Sequence, residues 1–283
     1  MNGFNLSDIT DAKFGNVQVS ELYFGSTKIW PLNHDYSQDY LTFEALESGN
    51  FTWTGTNSNS IYYSINDGST WAQLASGSST PTLNANDKIL FKASGISPSS
   101  STGIGKFSSS GQFNVMGNIM SLVYGDNFIN NNALNNNQFR RLFYNCAKLV
   151  NAKNLILPAT TLKDNCYYEM FSGCTKLTTP PELPATTLAS YCYSSMFERC
   201  TSLTTSPELP ATTLATRCYA AMFYNCASLN YVKCLARSIL ATGATNNWLN
   251  GVSSTGTFVK DANTTWTTGN SGIPSGWTVQ DAS

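Results

Sequence analysis

Between residues 177 and 228 one pattern of apolar and polar positions occurs twice. Leu188, Cys192, Met196 and Cys200 stand four residues apart, and Leu214, Cys218, Met222 and Cys226 repeat them. A stripe at i, i+4, i+8 and i+12 predicts one apolar face of a short helix. Thr186 or Thr187, just after Pro184, supplies the N-cap. Leu203-Thr204-Thr205 reads as extended, and Pro207 and Pro210 confine it to a short strand. One unit is therefore expected to be a short strand, a proline-fixed corner and a short helix.

The unit is an internal repeat. Residues 177–202 and 203–228 are identical at 18 of 26 positions. A third copy precedes them at Leu157 to Leu162 with Cys166, Met170 and Cys174. A degenerate one opens the array at Leu142, Phe143, Cys146 and Leu149, offset by two extra residues. Copies this small cannot close a core alone, so they are expected to stack into a curved solenoid with strands on the inner side. Neighbouring strands would lie about 4.8 Å apart and neighbouring helices about 8–10 Å apart. At those distances the cysteine columns 166/192/218 and 146/174/200/226 are expected to be buried free thiols rather than disulfides. No Cys-x-x-Cys occurs, which argues against a zinc ribbon or thioredoxin-type site.

Residues 1–31 read as a small β-hairpin module with Gly25-Ser26 at a tip. Pro31 to Tyr40 reads as a polar linker with a solvated His34. Residues 32–110 read as a small β-sandwich of immunoglobulin-like type, with strands at 40–46, 51–53, 61–65, 71–74 and 89–92. Ser64 to Trp71 resembles the Asp box of sialidase propellers, and is expected to be an Asn-Asp-Gly turn with Trp71 in the core. Residues 111–148 are expected to be the junction and N-terminal cap, 149–228 the repeats, and 229–283 a C-terminal cap that loses the period. The whole is expected to be a mixed α+β multidomain chain.

Composition narrows the function. The chain has 283 residues, a net charge of −1 and only 12% charged residues. Asn, Ser and Thr number 30, 34 and 32, so the surface is largely neutral amides and hydroxyls. There is no basic footprint for nucleic acid, and no apolar run of 18 residues for a membrane span. A single histidine leaves no Ser-His-Asp triad or histidine metal site in view. Gly105-Lys106-Phe107 is not a P-loop. Leu-Pro-Ala-Thr-Thr is internal and repeated, unlike a sortase signal. Glu182 and Glu208 occupy equivalent positions of adjacent copies, which suggests a corner role rather than a catalytic pair. No enzyme activity, cofactor or metal is expected.

Met196 to Leu203 and Leu209 to Leu214 give the residues of a resemblance. The array, from about residue 120 to the end, resembles BspA-like leucine-rich repeats of Bacteroidales surface proteins and of crAss-like phages that infect them. Trp248 to Lys260 and Gly272 to Val279 resemble the C-terminal end of such chains. The N-terminal segment is similar to short modules of phage virion proteins. The resemblance implies a leucine-rich-repeat solenoid serving as an interaction scaffold, with no catalytic residue to carry over.

These features, with a start at Met1 that lacks a signal peptide, lead to the expectation of a virion protein. It would be a fibre or decoration attaching to a host surface glycan or protein, synthesised in the host cytoplasm and docked to other virion proteins through residues 1–31. A homo-oligomer is expected, with a trimer as the guess. The alternative is a bacterial cell-surface adhesin; a glycan-active enzyme ranks last. Positions that differ between copies are the candidates for recognition: Tyr191, Glu198 and Arg199, against Arg217, Tyr224 and Asn225, with Ser190 and Thr216 beside them. The same positions also fit a plain solvated helix face.

Overall fold

The computed structural model describes residues 13–14, 17–18, 22–24, 27–30 and 39–282. The chain forms two compact units, Met1–Asp39 and Tyr40–Ser283. In the first, β1 (Lys13–Phe14) pairs antiparallel with β2 (Val17–Gln18), and β3 (Leu22–Phe24) with β4 (Thr27–Trp30). The expected Gly25-Ser26 tip and the linker with His34 lie outside the described residues.

The second unit opens with short strands whose alternating aromatic residues face one core. They are β5 (Leu41–Ala45), β6 (Phe51–Gly55), β7 (Ile61–Ser64), β8 (Ala72–Leu74), β9 (Lys88–Lys92), β10 (Gly105–Ser109) and β11 (Phe113–Asn118). Phe43 stands at the centre, with the rings of Phe51, Phe91, Phe107 and Phe113 all within 5.0 Å. The turn between β7 and β8 has positive φ at Asp67 and Gly68. Asn66 braces it, accepting from the Thr70 N–H at 3.0 Å. Trp71 is only partly buried against the core. The one α-helix among the described residues, α1 (Ser121–Tyr124), is a single turn.

β11 pairs antiparallel with β5 and parallel with β12 (Leu149–Ile156), so the sheet runs on into the first copy of the repeat. Its strand order is β12-β11-β5-β9-β7-β8. A second sheet, all parallel, holds β13 (Thr205–Leu209), β14 (Tyr231–Cys234), β15 (Gly256–Lys260) and β16 (Trp277–Asp281).

The repeats correct the sequence-based expectation. They do not form a strand-plus-helix leucine-rich-repeat solenoid: the segment expected to be helical in each copy is a run of tight turns. An α-helix sends each N–H to the carbonyl four residues back. Here alternate N–H groups do two different things. Cys192, Ser194, Met196 and Glu198 donate three residues back, to Ala189, Tyr191, Tyr193 and Ser195. Tyr191, Tyr193, Ser195, Phe197 and Arg199 donate instead to the next copy, to Thr216, Cys218, Ala220, Met222 and Tyr224, at 2.8–3.0 Å.

The backbone reason is a left-handed residue at every fourth position. Tyr191, Ser195 and Arg199 have φ of 56°, 53° and 59°. Arg217, Ala221 and Asn225 repeat this, as do Asn165, Glu169 and Gly173 upstream. A helix cannot contain such residues; a chain of four-residue turns needs them. Each copy thus becomes a flat tier that bonds to the next. The geometry extends past the sequence repeat, since Gly243, Asn247 and Gly251 have φ of 61°, 54° and 78° at the same spacing. One further tier therefore lies inside the segment expected to be a cap.

Side chains register with the backbone. Phe143, Phe171, Phe197 and Phe223 stack at 5.4–5.7 Å with rings within 8° of parallel. Phe139, Tyr167, Tyr193, Tyr219 and Trp248 form a second column at 5.7–6.2 Å. The eight cysteines are buried free thiols. Cys174, Cys200 and Cys226 point S–H groups at the carbonyls of Phe143, Phe171 and Phe197, at 3.1, 3.2 and 2.9 Å.

Candidate recognition surface

The candidate residues lie on the turn side of the tiers and divide into two groups. Arg217 Nη1 donates to the Tyr191 hydroxyl at 2.9 Å, and its guanidinium sits 5.5 Å from the Tyr191 ring centre. Arg199 pairs with its neighbour Glu198 at 3.6 Å. Tyr224 and Asn225 occupy the corresponding positions one tier on and are half-buried. Among the described residues no hydrogen bond or ion pair joins the Tyr191–Arg217 pair to the other four.

Four of the six, Tyr191, Arg199, Arg217 and Asn225, occupy left-handed backbone positions. Their identity is therefore constrained by conformation as well as by what they contact. Position 225 shows the conformational role most clearly, because the Asn225 side chain lies against Gly251 in the next tier. The same face carries charged and aromatic residues further up the stack that the comparison of copies did not single out. Arg141 pairs with Glu169, which raises the Arg141 pKa, and Arg140 lies 4.1 Å over the Tyr168 ring. They escaped notice because they lie in the degenerate first copies.

The opposite side of the tiers carries a recess of about 690 Å³, walled by residues 178–184 and 204–210 of adjacent tiers with Lys153 beyond. Prolines explain why it stays open. Five of the chain's ten, Pro180, Pro181, Pro184, Pro207 and Pro210, fall in these segments, and proline has no N–H to give a ladder. Residues 150 and 152 bond to 178 and 179 in the tier before, and 230 bonds to 204 in the tier after. Between 178–184 and 204–210 no backbone hydrogen bond occurs.

Glu182 and Glu208, expected to be corner residues, both line this recess. Glu208 pairs with Lys233 at 2.8 Å, and that hydrogen bond raises the Lys233 pKa. Glu182 and Lys153 have no ion-pair partner among the described residues, and both are exposed. Exposed threonines at 178, 204 and 205 and the half-buried Thr179 complete the rim. The arrangement offers one free carboxylate, one free ammonium and several neutral hydroxyls on a rigid frame. The sequence signal for it was the cluster of prolines.

Among the described residues, no group of three or more His, Cys, Asp or Glu is placed to hold a metal ion. No helix there is long and apolar enough to cross a membrane. No protein-family model, curated protein or solved structure gives a significant match to the chain.

Proposed function

We propose that the chain is a phage virion protein, a fibre or decoration, that attaches to a host surface glycan or protein through its stacked tiers. The observation that carries this reading is the proline-held recess between two tiers, with unpaired Glu182 and Lys153 among neutral hydroxyls. Tiers locked by cross-bonds and ring stacks hold such groups in fixed positions, which lowers the entropy cost of binding. A chain with only 12% charged residues suits selective contact over general electrostatic adhesion. Residues 1–31, within the separate unit Met1–Asp39, are the segment assigned to docking on the particle, as one subunit of a homo-oligomer.

Binding of the labelled full-length protein to host cells tests the recognition step. Glu182→Gln is expected to weaken it about tenfold, the weight of one charge-assisted contact. Thr204→Trp, which fills the recess from its rim, is expected to weaken it further. Undiminished binding by both folded variants would overturn the assignment of the recess.

A further inference from the structure

The second ring column does not end at Trp248. Trp266 lies on it at 5.3 Å with the rings 10° from parallel. Among the described residues no further ring lies parallel on Trp266. It instead lines a recess of about 360 Å³ bounded by Trp277, Ile273, Pro274 and the exposed residues Thr265 and Ser275.

The indole N–H groups of the three tryptophans in this region differ in one respect. Trp248 Nε1 donates to Gly272 O and Trp277 Nε1 donates to Ser253 O, both at 2.8 Å. Trp266 Nε1 is buried and has no hydrogen-bond partner. Trp266 as a whole is only 9% exposed, so bulk water does not serve that donor. Buried indole N–H groups ordinarily have an acceptor, and an exception needs an explanation. Local charge is already neutralised, because Lys260, also on this wall, pairs with Asp281 at 2.6 Å.

We infer that this recess is a subsite for a neutral saccharide, one or two sugar units long, with the Trp266 indole N–H as its unmet donor. A pyranose has an apolar C–H face that packs on indole and a hydroxyl rim that both accepts and donates. The wall supplies the matching parts: two indoles and a proline for the face, Thr265 and Ser275 hydroxyls for the rim. A neutral sugar leaves the Lys260–Asp281 pair intact, whereas an anionic one would compete with Asp281. The volume falls at the low end of the ~300–1,000 Å³ of small-ligand sites. Trp266 itself lines the recess, so a sugar seated there lies against the indole that carries the unmet donor.

The inference rests on the recognition reading above and assigns part of the ligand chemistry to the C-terminal residues 260–279. The test is saturation-transfer NMR on the full-length protein with methyl glucoside, methyl mannoside, methyl galactoside and methyl N-acetylglucosaminide. Tryptophan fluorescence follows the same titrations. At least one sugar is expected to bind saturably. Trp266→Phe keeps the ring stack and removes the donor, and is expected to weaken binding about tenfold. Ser275→Trp blocks the recess without touching the stack and is expected to abolish binding.

Absence of saturable binding across the panel, or binding unchanged in Ser275→Trp, would overturn the subsite. If host cells still bind the protein in that case, the recognition reading stands without it. If the sugars bind as expected but host cells do not, the subsite stands and the recognition reading falls.

Discussion

The side chain of Asn225 occupies the space in which a Cβ on Gly251 would stand. The added atom would lie 2.2 Å from Asn225 Oδ1, at a residue whose φ is 78°. Asn145 and Gly173 repeat the relationship, at 2.1 Å, three tiers further up. The contact links backbone handedness in one tier to side-chain packing from the tier before.

Gly251→Ala is therefore expected to destabilise the protein by about 1–3 kcal/mol, from left-handed strain plus displacement of Asn225. Ala221→Gly makes the opposite change where φ is 52°. It is expected to cost nothing or to stabilise by up to about 1 kcal/mol. Urea denaturation of both variants checks the pair, and equal destabilisation would argue against left-handed tiers.

The ring columns make a second, asymmetric expectation. Phe197 is fully buried between Phe171 and Phe223, at 5.5 and 5.7 Å. Phe197→Ala should cost about 3–5 kcal/mol through the cavity it leaves. Tyr167 is equally buried, but its hydroxyl has no partner, and the ring before it in the column is Phe139. Tyr167→Phe should be neutral or stabilising by about 1 kcal/mol, because it removes an unpaired buried hydroxyl. Thermal unfolding monitored by near-UV circular dichroism distinguishes the two outcomes.

Burial raises the pKa of all eight thiols where a shift is resolved, among them Cys146 and Cys218 to about 11 and Cys166 and Cys234 to about 12. The ordinary thiol value is about 8.5. A folded-state pKa above the unfolded one gives stability that is complete below the unfolded value and is lost as pH rises toward the folded value. Stability should therefore be insensitive to these groups up to about pH 8 and fall between about pH 9 and 12. The native protein should react with Ellman's reagent slowly, and the denatured protein at all eight thiols. Fast reaction of native thiols at neutral pH would contradict the buried columns.

The sequence carried the registration of the fold better than its conformation. Columns at 26-residue spacing were legible because Leu, Cys, Met and Phe recur without a slip from Leu177 to Ser228. Strands near residues 41, 51, 61, 72 and 88 were legible from short β-branched and aromatic runs between turn residues. The helix expectation failed on the period. Residues four apart advance about 40° around a 3.6-residue helix at each step, so Leu188 and Cys200 would diverge by about 120°. A stripe of period four belongs instead to four-residue turns.

Asn145, Gly173, Asn225 and Gly251, all tolerant of left-handed backbone, were the visible clue. Arg199 and Tyr191 hid it, because their types do not announce positive φ. The recess did not show in the periodicity, which records only what is present: it depends on hydrogen bonds that Pro180, Pro181 and Pro207 fail to make, and the proline cluster itself was the signal that pointed to it.

Quantitative mass spectrometry of purified phage particles, alongside envelope fractions of the host, is the most direct check on the virion assignment. Peptides spanning both Met1–Asp39 and the repeats are expected in the particles at a fixed ratio to capsid protein. Recovery from bacterial envelopes alone would contradict the assignment and point to a cell-surface adhesin.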